Sequence, residues 1–328
     1  DCDARNSAVH TVSSVTLVIC GRTLMFAKPP DIETRVFASL PDKFRRSARS
    51  DWADIQMRGR ELDSFLEGPS FDLEGNLYVV DIPFGRVFCI SPDGNWTLVV
   101  EYDGEPNGLK FDREGRMFIA DHKHGIMQVD PITGEIKVAV DRPMLERFRG
   151  VNDLFFASDG ALYFTDQGQT GLHDPRGRLY RQSSDGVLEC LLDAIPSPNG
   201  LVMNVDETVL YLAVTRDNSV WRVPFLLDGT PSKVGVFLQL SGGLAGPDGL
   251  ALDEAGNIAV AHAGLGTVWL FSSLGEPIAR IRSCAGVMTT NVAYGGGDRK
   301  QLYITESETG KVLVADMPVP GKAMVGQA

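Results

Sequence analysis

Six polar residues stand at the head of six similar segments in this chain. They are Glu67, Asn107, Asn152, Asn199, Asp248 and Asn291, separated by 40, 45, 47, 49 and 43 residues. Two are carboxylates and four are amides, and no thiol or imidazole shares their register. Brought to one axis, such hard oxygen donors suit one divalent metal: calcium first, with manganese, magnesium or zinc as the alternatives. Two carboxylates would balance one divalent cation. Buried together without one, they would repel each other. Taken singly, each Asn-Gly or Asp-Gly pair is an ordinary turn signal. Six copies in one register, with the acidic ones set apart from the amides, favour a ligand set.

The segments that must position these residues share one pattern. A small polar lead opens a short strand, an Asp/Gly turn follows, and a second apolar strand returns. Glu67-Gly68-Pro69 leads to Leu77–Asp81, and Pro106-Asn107-Gly108 leads to Met117–Asp121. Such a unit cannot bury its own faces, so the copies must stack. A period of 40 to 49 residues suits four short strands, the size of one propeller blade. The expected fold is all-β: a six-bladed β-propeller with a central metal site, occupying residues 29–328 as a single domain.

Composition narrows the function classes. The 328 residues carry a net charge of −12 and no long Lys/Arg cluster, which argues against nucleic acid as a partner. The five cysteines are scattered, without Cys-x-x-Cys spacing, so a reducing, cytoplasmic setting is expected. No apolar run approaches a membrane span. Residues 1–28 read differently from the rest, and Met25 is a candidate native start. They are expected to be an upstream or disordered segment.

The alternation Ile32-Glu33-Thr34-Arg35-Val36-Phe37-Ala38 reads as a strand. It is expected to close the last blade from the other end of the chain and hide two sheet edges. Residues 41–66, with a helical stretch around Trp52 to Leu62, read as a covering loop. Trp96, Trp221 and Trp269 lie in strand patterns and are expected to pack the core. In a propeller the six lead residues and the loops after each second strand meet at one rim. The longest of those loops, Asp166 to Gly177, contains His173 and Arg176, and its length marks it for a binding role.

Taken in order, Glu67-Gly68-Pro69, Val151-Asn152-Asp153, Ser197-Pro198-Asn199-Gly200-Leu201 and Pro247-Asp248-Gly249-Leu250 resemble the senescence marker protein (regucalcin)/gluconolactonase family of six-bladed propellers. The resemblance covers about Phe65 to Asp316. It implies a calcium-type site from Glu67, Asn199 and Asp248, with Asn152 as a fourth ligand or substrate contact. It also implies hydrolysis of a small-molecule lactone, a sugar lactone or related cyclic ester. The long loop looks closer to bacterial and fungal lactonases than to the animal form. Animal members carry an arginine two residues before the substrate-side asparagine. Here that position is Gly150, and Arg149 comes one residue earlier.

In the mechanism this implies, the ion holds the ester carbonyl and water attacks. Asp248 is the expected base, able to bind through one oxygen and orient water with the other. His262, at the end of the strand that returns from Asp248, is the histidine best placed to act instead, ahead of His122, His124 and His173. Asn107, Arg149, Asn152, Phe84, His124 and His173 are expected to contact substrate. A phosphoester hydrolase of the diisopropylfluorophosphatase-like type resembles this chain in the same Glu, Asn, Asn and Asp pattern. A non-catalytic binding propeller is the other alternative. A Ser-His-Asp hydrolase is excluded by the missing Gly-x-Ser-x-Gly elbow and βαβ pattern.

Overall fold

A computed structural model describes residues 29–327, together with the backbone of a strand pair at Val18–Ile19 and Arg22–Thr23. The expectation for residues 1–28 otherwise falls outside the described residues. Among the described residues the remaining strands form six sheets of four or five strands each. These are the six blades (I to VI) of a β-propeller. Each blade runs outward in chain order from an innermost strand. The innermost strands are Leu66–Phe71, Pro106–Phe111, Val151–Phe156, Pro198–Met203, Gly246–Leu252 and Thr289–Gly295. No helix among the described residues is long and apolar enough to cross a membrane.

The repeat explains the hairpins. In blade I the Asp72 carboxylate accepts from the Asn76 backbone N–H at 2.8 Å and from Asn76 Nδ2 at 2.9 Å. Gly75 supplies the positive φ of +83° that the turn needs. Asp253 holds Asn257 in the same way in blade V, with bonds of 2.8 and 2.7 Å. These turns put the far rim under local control and return the second strand toward the rim of the lead residues.

In blades I to III the second strand ends on an aspartate that ties the rim together. The buried Asp81 carboxylate accepts from the Phe65 N–H at 2.7 Å, just before the innermost strand begins. It also binds the fully buried Arg86 guanidinium of the third strand, at 2.9 Å through Nε. Asp121 accepts from the Glu105 N–H at 3.0 Å, and Asp166 from the N–H groups of Arg149 and Gly150 at 2.7 and 2.9 Å. In blades I, II and III one carboxylate thus joins the start of the first strand to the end of the second.

The N-terminal segment closes the ring, but in two pieces. Arg35–Ser39 pairs antiparallel with Lys311–Asp316 as the outermost strand of blade VI. Asp31–Glu33 pairs parallel with Pro277–Arg282 as a fifth strand of blade V. Thr34, between them, donates its hydroxyl to the Arg282 carbonyl at 2.8 Å and accepts from the Cys284 N–H at 2.9 Å. The segment therefore straps two neighbouring blades and covers both edges.

Apolar clusters fill the space between neighbouring blades, the largest drawing on blades III, IV and V. Trp96 packs edge-on to Phe88 with ring centroids 5.5 Å apart, and Trp221 and Trp269 lie against the large cluster. Outside the repeat, Ser50 caps a short helix, Asp51–Gln56, by accepting from the Ala53 N–H at 3.1 Å. The helix ends at Met57 rather than running to Leu62, because Arg58 and Gly59 take positive φ.

The Asp81–Arg86 pair gives a stability test. Asp81→Ala would leave a buried guanidinium without its partner and is expected to cost about 3–5 kcal/mol. Equilibrium denaturation in urea measures this. A loss below about 1 kcal/mol would show that the pair does not brace the blade.

Candidate active site

Every innermost strand slips register just after it begins. In blade I the slip lies between Glu67 and Ser70, in blade III between Val151 and Leu154, and in blade V between Pro247 and Leu250. The other three blades do the same. Such bulges turn a side chain out of the alternation. The Asn-Gly and Asp-Gly pairs are therefore not hairpin turns. They sit inside the innermost strands and aim the lead residues at the axis.

Five lead residues, Glu67, Asn107, Asn152, Asn199 and Asp248, line one cavity of about 130 Å³. The sixth, Asn291, is buried and does not line it. It donates its amide to Asp153 Oδ2 at 3.2 Å instead. A second ring stands above the first: Ile82, His122, Gln167, Thr215 and Ala263. Each directly follows the residue that pairs with the position just before the lead of its blade. Residues from outside the repeat, Trp52, Gln56, Met57 and Phe65, complete the wall, with Arg216 at the mouth. Trp52 and Phe65 pack against each other with centroids 4.8 Å apart.

The floor is electrostatically loaded. Glu67 is 3% exposed, and burial raises its carboxyl from 4.5 to about 7. The Gly68 N–H, which it accepts at 2.8 Å, opposes that rise, and the charge of Asp153 adds to it. Asp248 is half-buried and lines the cavity. Burial pushes its carboxyl well up, and the charges of Glu67 and then Asp153 push it further. Asp153 was not singled out from the sequence, yet it is the third buried carboxylate of the group.

The amides are held by their nitrogens. Asn152 donates to Gln167 Oε1 at 3.0 Å, and Gln167 donates onward to Ser197 Oγ at 3.0 Å. Asn199 donates to Thr215 Oγ1 at 3.2 Å, and Thr215 donates to the Pro247 carbonyl at 2.8 Å. Asn152 Oδ1 is left buried with no hydrogen-bond partner. An orphaned amide oxygen beside two carboxylates fits a cation and fits little else. Among the described residues, no three acidic, imidazole or thiol groups form a metal-binding cluster by themselves, so an ion here must draw on the amide oxygens.

The structure separates the remaining sequence candidates from this cavity. His262 was expected to serve in catalysis, and its position corrects that. It pairs with Pro247 in the same register that Asp121 takes opposite Pro106. Its ring accordingly points into the blade, where Nδ1 accepts from Trp269 Nε1 at 3.3 Å and Nε2 lies 3.1 Å from the Gly242 carbonyl. Phe84 lies under the Arg86 guanidinium, 4.8 Å from ring centroid to Cζ. His124 is bound to the Asp103 carbonyl at 2.6 Å, and Arg149 and His173 are exposed. None of these five lines the cavity. His122 does line it, and burial lowers the pKa of its imidazole. Gly150 makes room for it: a Cβ there would come within 2.3 Å of the His122 ring. Glycine at the position of the animal arginine thus goes with an imidazole filling the space.

Acidic and amide oxygens on the floor of an axial cavity, beneath a helical cover, define a propeller with a ligand site on its axis. The chain belongs to the SMP-30/Gluconolactonase/LRE-like family, whose model matches residues 65–308. It is 31% identical over 260 residues to gluconolactonase from Zymomonas mobilis, covering 70% of this chain and 72% of that protein. It is 29% identical over 241 residues to lactonase drp35 from Staphylococcus aureus, with the same coverage of 70% and 72%. Among solved structures, the calcium-binding protein regucalcin from Agrobacterium tumefaciens shares the fold. Its TM-score is 0.71 at 22% identity, over 89% of this chain and 97% of that one. A gluconolactonase from Xanthomonas campestris gives 0.69 at 23%, over 89% and 96%.

The raised carboxyls set a pH dependence. A carboxyl whose pKa is higher folded than unfolded binds its proton more tightly in the fold. The metal-free protein should therefore gain stability as pH falls from above about 7 toward 4.5. A cation on the ionised pair would stabilise the high-pH side and flatten that slope. Melting temperatures across this range, with calcium and with a chelator, test the point. Parallel curves would mean that the ion does not engage Glu67 and Asp248.

Proposed function

We propose that this protein is a lactonase dependent on a divalent metal of the calcium type that opens a sugar lactone or related cyclic ester with water. The observation that carries this reading is the convergence of Glu67, Asp248, Asn199 and the unpartnered oxygen of Asn152 on one cavity, in a chain of this family. Those four residues would hold the ion. When bound, it would act as a Lewis acid on the lactone carbonyl.

The chain's own residues account for the rest. Asp248 opens to the cavity and accepts the proton of the attacking water. His122 and Gln167, in the second ring, and Asn107, in the first, orient ring hydroxyls from one side. Trp52 and Phe65 give the opposite side an apolar surface for the C–H face of a ring and keep bulk water out. Three described cysteines, Cys89, Cys190 and Cys284, are free thiols, which agrees with a reducing, cytoplasmic location.

Asp248→Asn should lower bound calcium and reduce kcat/KM on a lactone by about a hundredfold or more, the usual worth of a positioned base. His262→Gln, away from the cavity, should keep turnover. Metal analysis and steady-state kinetics on both variants decide the matter. Full activity in the Asp248 variant would refute the assignment. Faster turnover of an organophosphate than of any lactone would move the protein to phosphoester hydrolysis.

A further inference from the structure

Arg216 is the one permanent cation among the residues lining the cavity; its charge is felt by Asp248 on the floor, but it forms no ion pair with any carboxylate among the described residues. Four other arginines of the described residues are held by carboxylates. Arg86 is paired with Asp81, Arg178 with Asp166, Arg176 with Asp174, and Arg46 with Glu101. The neighbouring Asp217 does not serve Arg216 either, because its Oδ2 accepts from Ser219 Oγ at 2.6 Å and from Trp221 Nε1 at 3.4 Å. Its side chain is exposed at the mouth. Its backbone is anchored through Thr215, whose N–H donates to the Ser197 carbonyl at 3.0 Å and whose hydroxyl donates to the Pro247 carbonyl at 2.8 Å. The long loop after the second strand of blade III lies alongside, since a Cβ on Gly171 would stand 3.7 Å from Arg216 Cγ.

We propose that the substrate is a lactone bearing an anionic substituent, a carboxylate or a phosphate, held by Arg216 at the cavity mouth. This rests on the lactonase reading above. A guanidinium presents a planar fork of donors that matches these anions with two parallel hydrogen bonds, whereas a sugar hydroxyl uses only one. With a divalent ion balancing Glu67 and Asp248, no other carboxylate of the cavity wall is left for Arg216. Asp153 lies outside the lining and is bound to Asn291. In the apolar wall, Met57, Phe65 and Met288 offer no polar group, and the Gln56 amide and Trp52 indole beside them carry no charge. The substrate then lies with its ring against that wall and its charge on Arg216. Hydrolysis consumes one water, breaks the ring C–O bond and releases one proton. It leaves an open-chain hydroxy acid that carries a second anionic group.

The test compares the calcium-loaded protein on three probes: neutral D-glucono-1,5-lactone, D-glucaro-1,4-lactone with a free carboxylate, and 6-phosphoglucono-1,5-lactone. The expected result is a kcat/KM preference of about tenfold or more for at least one anionic probe, the scale of one charge-assisted pair. Arg216→Gln should abolish that preference, mainly through KM. Arg216→Lys should restore part of it, more for phosphate than for carboxylate, because lysine acts as a point charge. A wild-type protein that favours the neutral lactone, or an Arg216→Gln variant that slows all three probes equally, overturns the inference while leaving the lactonase reading intact. Hydrolysis of none of the three overturns both.

Discussion

Six strands can ring an axis only if neighbouring backbones come close together at its narrow end. Here the close approach falls on the glycine after the lead in four blades, Gly68, Gly108, Gly200 and Gly249. A Cβ on Gly108 would stand 2.4 Å from Asp153 Oδ1, and one on Gly200 would stand 2.4 Å from the Asp248 carbonyl. No side chain fits in either place. The backbone therefore bulges, and the lead residue has only the axis to face. Closure of the ring and assembly of the site are one packing event.

That geometry forces carboxylates together in a poorly solvated space. The charge of Asp153 raises the proton affinity of Glu67, and the charges of Glu67 and Asp153 raise that of Asp248. The fold supplies donors for part of this charge: the Gly68 N–H for Glu67, and the Leu154 N–H with the Asn291 amide for Asp153. Arg86 and Arg178 are committed to Asp81 and Asp166 inside the blades, and Arg216, the one cation of the cavity wall, reaches Asp248 only through its field and not through an ion pair. The axial residues are thus left to a ligand from outside the chain. The unpartnered oxygen of Asn152 marks the same need from the acceptor side.

The blades, their number and the first ring of the cavity were legible in the sequence because they repeat. A fixed period carries the strands, and departures from it carry the lead residues. What went unread has physical reasons. Asp153 occupies the position of the close-approach glycines, where a side chain reads as a variation in packing rather than as a charge. The second ring follows the partner of the residue before each lead, so Ile82, His122, Gln167, Thr215 and Ala263 share a register but no chemistry. Counting forward from Asp81, Asp121 and Asp166 would have found them. The same count would have placed His262 among the bracing residues, since it stands where those aspartates stand. Phe84, His124 and His173 were drawn from the right loops, but loop residues beyond the first are free to point outward.

The cover lies outside the repeat, and this shapes how the cavity can vary. Trp52, Met57 and Phe65 come from a segment fixed by its own contacts, with Arg45 bound to Asp63 at 2.6 Å and Arg46 bound through both nitrogens to Glu101. That segment can change without disturbing the blades. The floor cannot, because Glu67, Asn199 and Asp248 sit at the points of closest approach between innermost strands. Between the two stands the second ring, buttressed by the blades yet free in side-chain type. His122 has its space only because position 150 is glycine, so even there a substitution must be matched by its neighbour across the blades. Chemistry common to such propellers thus belongs to the floor, and discrimination among substrates belongs to the cover and the second ring, where the fold places no demand on charge.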